Sequence, residues 1–173
     1  MVHMKRLLFE IDTKDYDPSG SAFVRPSARG IILRSGRVAM VHSLKYNYYK
    51  FPGGGIHPQE KPVEALAREV AEEAGLRVIP YSVKEYGLVH RVQKGKREAM
   101  FVQDNYYYLC DAEEYCITQK LDDYEAEARF TLEYVFPCHA IYVNRFADHG
   151  PTDQIMLERE ARVLEMLLEE GYL

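Results

Sequence analysis

Apolar residues along this chain fall mostly into strand-length runs separated by glycine- and proline-rich turns, with helical periodicity confined to a few stretches. Arg6–Ile11 predicts a short strand, and Asp15–Gly20 is rich in turn formers. Ser27–Leu33 and Val38–Ser43 flank Arg34-Ser35-Gly36-Arg37 and predict a hairpin. Tyr46–Phe51 then leads into Pro52-Gly53-Gly54-Gly55, a predicted loop whose missing side chains let backbone approach a ligand closely. Val63, Leu66, Ala67, Val70 and Ala74 recur at helical spacing; Pro62 suits the first turn of that helix and Gly75 its C-terminal cap.

Beyond the helix, Val78–Gln93 and Glu98–Cys110 read as long strands joined across Lys94-Gly95-Lys96-Arg97. Asp111–Ala128 is irregular and acidic, Phe130–Val135 alternates like a strand, and Pro137–Asn144 predicts a short helix. Thr152–Glu170 is a strong amphipathic helix, capped by Thr152 or Asp153, with Met156, Val163, Leu164, Leu167 and Leu168 on its apolar side. Hairpins among these strands predict a mixed rather than wholly parallel sheet in an α/β fold.

Composition narrows this picture only modestly. The 173 residues fit one domain, 1–173, and a hydrophobic fraction of 47% is enough for an ordinary core. A formal charge of −5 argues against an electrostatic grip on duplex DNA or an anionic membrane, while leaving a cation-assisted nucleotide substrate open. No run of 18 apolar residues exists, and Met1–Glu10 lacks the apolar stretch of a secretory signal. Cys110, Cys116 and Cys138 form no CxxC pair, so reduced thiols in a cytoplasmic protein are expected. Both a monomer and a homodimer stay open.

The chemistry concentrates in Gly54–Leu76. Glu60 stands alone ahead of the helix, and Arg68 and Glu69 open the run Arg-Glu-Val-Ala-Glu-Glu-Ala-Gly. At roughly 100° per residue, Glu69, Glu72 and Glu73 fall on one face. Like charges three and four apart weaken a helix, and a bound divalent cation relieves that repulsion. Hard oxygen ligands at this density suit Mg2+ or Mn2+. Glu72-Glu73 alone would be ordinary solvated surface. The neighbouring glycines and Glu60 have no reason to accompany a merely soluble helix.

This segment resembles the Nudix box, the signature of the Nudix hydrolase family. Gly54, Glu60, Arg68, Glu69, Val70, Glu72, Glu73, Gly75 and Leu76 match its pattern without departure, over 23 of 173 residues. The resemblance implies an α/β/α sandwich with a mixed central sheet and, here, an added C-terminal helix. It implies cleavage of a nucleoside diphosphate linked to another moiety, by water activated at a metal. Glu69, Glu72 and Glu73 match the family's metal-ligand positions, and the Gly53 carbonyl matches its backbone ligand. Glu60 would orient the water or a supporting partner, Arg68 would hold the carboxylate rotamers, and Glu72 or Glu73 would accept the proton.

Many family members add a loop carboxylate before a late strand. The matching region is Asp122–Glu127, with Glu127 and then Glu125 as candidates, set against a plain acidic loop. Substrate contacts are expected from Gly54 and Gly55, from Tyr49 and Phe51 as stacking faces, and from Arg91 toward a distal phosphate. Strand packing is the plainer role for either ring, and a solvated hairpin tip the plainer one for Lys94, Lys96 and Arg97. His57 is expected to be exposed. The absence of tryptophan, and His90-Arg91 without proline or tyrosine, remove the marks of several subfamilies without choosing a substrate. The main alternative is a nucleotide-sensing module of the same fold that does not cleave, disfavoured because all the helix carboxylates are present. An adaptor built on the C-terminal helix and an isomerase of related fold are weaker rivals.

Overall fold

The computed structural model describes residues 6–113 and 118–173. In chain order the strands begin with β1 (Leu7–Asp12), β2 (Ala22–Val24), β3 (Ser27–Ile31), β4 (Leu33–Arg34), β5 (Arg37–Ser43), β6 (Tyr48–Lys50) and β7 (Gly53–Gly55). Helix α1 (Pro62–Ala74) follows, then β8 (Arg77–Val78), β9 (Lys84–Lys94), β10 (Met100–Leu109) and β11 (Ala112–Glu113). The chain closes with α2 (Asp123–Glu127), β12 (Phe130–Val135), α3 (Pro137–Phe146) and α4 (Gln154–Glu169). No described helix is long and apolar enough to cross a membrane.

Two sheets share the interior. The larger runs β1-β9-β10-β3-β7, with β2 extending the β10 edge; the smaller runs β12-β5-β4 with β6 also on β5. β1–β9 and β10–β3 are parallel, while β9–β10 and β3–β7 are antiparallel, so the central sheet is mixed, as the hairpins predict. Alternation along the strands feeds two cores. Val38 and Met40 pack with Leu164 and Leu167 of α4, whereas Ala39 between them packs with Leu66 and Val70 of α1. Tyr107 and Tyr108 divide in the same way. Helices therefore cover both faces, giving the α/β/α sandwich with its C-terminal helix.

Four local expectations need correcting. The hairpin across Ser35-Gly36 forms, with Leu33 paired to Val38 and Arg34 to Arg37, but the run Ser27–Leu33 is not one continuous arm: it breaks at Ile32, so that β3 joins the large sheet and β4 the small one. One apolar segment thus ties both sheets together. Pro52–Gly55 is not a free loop either, because Gly53–Gly55 pairs antiparallel with Ser27–Arg29 as an edge strand. Within α1, Val63 and Ala67 are exposed, while Ala65 and Glu73 are buried. The helix is rolled so that its working face is half inside the protein. The stretch read as one strand, Val78–Gln93, is broken by a 3₁₀ turn at Pro80–Ser82.

Asn144 of α3 pins the strand that precedes the glycines. Its side chain accepts from Tyr49 N–H at 2.8 Å and donates to the Tyr49 carbonyl at 2.8 Å, all buried. Replacing it leaves two buried backbone groups unpaired, each costing about 1–3 kcal/mol. Asn144→Ala is expected to destabilise the fold by roughly 2–4 kcal/mol in urea unfolding, on the same principle; a change within 0.5 kcal/mol would show that water replaces the amide.

Candidate active site

The site is assembled where β7 crosses the C-terminal half of α1. Gly53 adopts φ +144°, and a Cβ there would lie 2.1 Å from the Ala28 carbonyl oxygen, so no other residue fits the close β3–β7 pairing. Its N–H donates to Glu73 Oε2 at 3.0 Å. Its carbonyl, which the resemblance nominates as a metal ligand, accepts from Arg29 Nη1 at 3.2 Å. At Gly54 the added Cβ would fall 2.3 Å from Glu69 Oε2. The missing side chain is the space that the Glu69 carboxylate occupies.

Helix α1 starts and stops on local chemistry. Pro62 occupies its first turn, Glu64 accepts the Lys61 N–H at 3.0 Å, and Gly75 closes the end in the left-handed region at φ 67°. Arg68 fans out from this helix. It donates through Nε and Nη2 to both oxygens of Glu60, each at 2.8 Å, through Nη1 to Glu69 at 2.5 Å, and through Nη2 to the Gly55 carbonyl at 3.0 Å. Glu72 lies 3.5 Å from the same Nη1. The fork holds Glu60 far below the usual carboxylate range, at about 2, and raises its own pKa in return. Arg68 thus fixes Glu60 and Glu69 in the orientations expected of it.

Glu73 is the buried member, only 2% exposed. Besides the Gly53 N–H it binds Lys50 Nζ at 2.5 Å, and that ammonium also lies 4.6 Å from the centre of the Phe130 ring. Lys50 drew no notice in the sequence; its place one residue before Phe-Pro-Gly is the signal that could have found it. The segment after residue 117 is latched to the end of α1, with Lys120 N–H on the Glu72 carbonyl at 2.9 Å and the Gln119 amide on the Glu73 carbonyl. This delivers Glu125. One carboxylate oxygen each of Glu69, Glu73 and Glu125 lie within 4.8 Å of one another. Burial and the neighbouring Glu73 push Glu125 up to about 7, and burial raises Glu69 too.

The other expected residues divide. Glu72 stays outside the cluster, 40% exposed at its side chain. Glu127 is 66% exposed and pairs with Lys45 at 2.5 Å, because two residues along a helix turn it about 200° away from Glu125. His57 is exposed, as expected. Tyr49 and Phe51 are buried: Tyr49 stacks on His42 and donates to Glu133, while Phe51 meets Tyr107 edge-on. Neither ring is free to stack a base. Arg91 is also buried, paired with Asp153 at 2.5 Å, but it lines an open cavity of about 560 Å³ against α4. Cys110 is buried and Cys138 exposed, both free; Cys116 lies outside the described residues.

A NUDIX domain model matches residues 24–156, and the chain belongs to the Nudix hydrolase family. An RNA pyrophosphohydrolase of Xylella fastidiosa (strain 9a5c) is 34% identical over 106 residues, covering 60% of this chain and 50% of its own. One from Pseudomonas savastanoi pv. phaseolicola is 45% identical over 62 residues, 35% of this chain and 36% of its own. The chain thus spans half or less of the curated relatives it matches. A NUDIX hydrolase from Nitrosomonas europaea shares the fold with a TM-score of 0.60 at 14% identity, over 86% of this chain and 90% of that one. A MutT protein from Bacillus halodurans does so at 0.55 and 15%, over 78% and 80%.

The three clustered carboxylates and the glycine cradle, with no soft ligand in the cluster among the described residues, fit a hard divalent cation. Glu125, with its pKa raised from 4.5 to about 7, stabilises the metal-free fold most fully below pH 4.5, and that contribution is lost as pH rises through 7. Metal-free protein is expected to melt lower at pH 8 than at pH 6, with millimolar Mg2+ reversing the difference. Gly54→Ala, which displaces Glu69, should keep the metal-free melting temperature within a few degrees and abolish the metal response. An undiminished response in Gly54→Ala would remove Glu69 from the site.

Proposed function

We propose that the protein is a divalent-cation-dependent pyrophosphohydrolase that cleaves a nucleoside diphosphate linked to another moiety, with water as nucleophile and Mg2+ or Mn2+ as the cation. The observation that carries this reading is the meeting of Glu69, Glu73 and Glu125 within 4.8 Å beside the glycine strand. Glu69, Glu73 and Glu125 would hold the cation, whose charge offsets the diphosphate and makes phosphorus accessible to an incoming oxygen. The backbone of Gly54 and Gly55, free of side chains, leaves the diphosphate room to lie along β7.

Each residue then has a distinct task. Lys50 neutralises the buried Glu73 and holds its carboxylate in place. Glu72, exposed and one residue from Glu73, takes the proton from the attacking water. Glu60 and Arg68 keep Glu69 oriented while that proton moves. Arg91 faces the moiety beyond the diphosphate. The names of the relatives add a pyrophosphate at an RNA end to the substrates worth testing.

Glu73→Gln and Glu125→Gln are expected to lower kcat by on the order of 10²-fold or more with the fold intact, since each removes a charged ligand and keeps its shape. Glu127→Gln should change kcat less than twofold. A panel of nucleoside triphosphates, nucleotide sugars and dinucleotides, with products identified by mass, reads both. Wild-type turnover in Glu73→Gln would sink the assignment, and metal-dependent binding without turnover on the whole panel would favour a sensor.

A further inference from the structure

The cavity beside Arg91 has a charge that the diphosphate reading does not use. Its floor is the face of β2, β3, β9 and β10 together with the first turns of α4, and it opens toward the β9–β10 turn. Arg25, Arg29, Arg91 and Arg159 project from the floor, and Lys94, Lys96 and Arg97 come from the turn. Only two carboxylates, Glu98 and Asp153, line the same space. Seven of the 22 lysines and arginines of a chain of net charge −5 line this one space. Such a field attracts anions and is strongest inside a low-dielectric cleft.

Internal pairing accounts for part of this charge. Arg91 is matched by Asp153 and Arg159 by the buried Glu160. Among the described residues, Arg25, Arg29, Lys96 and Arg97 form no such ion pair. Arg29 is 8% exposed, its Nη1 meets only the carbonyls of Phe51 and Gly53, and its Nε has no hydrogen-bond partner. A buried guanidinium left partly unsatisfied is costly for the protein alone and fits a site completed by an anion. At the mouth, Phe23 and Phe101 pack 6.0 Å apart with Phe23 nearly half exposed, offering an apolar face.

Position links this cavity to the carboxylates. Arg29 touches the carbonyl of Gly53, the residue whose N–H holds Glu73. A Cβ on Gly55 would lie 3.1 Å from Arg25 Nε. The strand between the two regions, β7, lies at the end of the large sheet, so a substrate that reaches both passes over that edge. At about 560 Å³ the cavity falls within the usual range for small-molecule sites, roughly 300–1,000 Å³.

We infer that this cavity binds a second phosphate-bearing group, so that the substrate is a diphosphate whose other moiety carries phosphate of its own rather than an uncharged sugar. The inference deepens the proposed hydrolase reading and rests on it only for the words "substrate" and "moiety"; the anion site itself does not. Guanidinium groups suit phosphate because they donate in a planar fork, and their mutual repulsion falls when the anion enters. The two cations at the turn, Lys96 and Arg97, are exposed, so changing them leaves the core untouched.

Calorimetric titration of the metal-free protein, in chelator, with inorganic tripolyphosphate tests the site without using the metal. Binding is expected with one ligand per chain, weakened tenfold or more in Lys96→Gln/Arg97→Gln and again in Arg25→Gln. Raising salt from 50 to 200 mM should also weaken it. A parallel titration with a nucleoside triphosphate separates the sources of phosphate: tighter binding than tripolyphosphate assigns the Phe23–Phe101 face to a base, and equal binding assigns the cavity to polyphosphate alone. In turnover, the double variant should lower kcat/KM tenfold for a dinucleoside tetraphosphate relative to a nucleotide sugar. Tripolyphosphate binding lost in the variants, without hydrolysis of any substrate, would retain the anion site and overturn the hydrolase reading. No tripolyphosphate binding, or binding indifferent to all three substitutions, would overturn the anion site even if nucleotide sugars are cleaved well.

Discussion

The buried carboxylate of Glu73 is the constraint on which the rest of the site depends. A charge almost wholly removed from water persists only with partners. Here they are the Lys50 ammonium and the Gly53 N–H. Both come from the segment before and within β7, so the glycine strand is fixed to α1 through one side chain. The position of Gly54 against Glu69, and hence the spacing of the carboxylates, follows from that attachment. Behind β7 a second buried network holds the same segment from the other face. Glu160 of α4 accepts the Phe51 N–H at 2.6 Å and the Tyr107 hydroxyl at 2.9 Å, and its partner Arg159 donates to Asn105 at 2.8 Å. Helices on opposite sides of the sandwich thus grip one four-residue stretch.

That arrangement explains how a helix can carry clustered acids. Glu69 and Glu73 are four apart and face β7, so their repulsion is offset by Arg68 on one side and Lys50 on the other. Glu125 arrives from α2 with its proton held up to about 7 by burial and the neighbouring Glu73, a shift that the Lys50 ammonium offsets only in part. The site is electrostatically incomplete in a way that a divalent cation completes. On the far side of β7 the balance has the opposite sign: Arg25 forms no ion pair among the described residues, and Arg29 and Arg159 share the one buried carboxylate of Glu160. Acid and base are thus divided by one strand.

Much of the site was legible in the sequence because its signals are local. Pro62 and Gly75 bound α1 as expected; the resemblance implies that Arg68 pairs with helix carboxylates, and in the structure it meets Glu69 and also Glu60. What was not legible depends on tertiary register. Nothing in Ser27–Leu33 marks the break at Ile32, since Ile31, Ile32 and Leu33 run on as one apolar string and only the two-sheet packing separates them. For Tyr49 and Phe51 strand packing is the plainer reading and base stacking stays open, because aromatic residues serve cores and ligands alike; burial decides for packing, and burial is a property of the whole fold. The order of Glu125 and Glu127 turned on whether their segment was extended or helical. A single turn of helix, closed by the reciprocal Asp122–Glu125 cap, sent them to opposite sides.

The carboxylates of α1 and α2 lie together beside the glycine strand, where a divalent cation would bind. Mn2+ binding followed by electron paramagnetic resonance, on wild-type protein and on Glu73→Gln, measures this without substrate or turnover. The account predicts bound Mn2+ at millimolar concentration or below in the wild type, weakened at least tenfold in Glu73→Gln while circular dichroism stays unchanged. Equal Mn2+ binding by the two proteins would contradict it.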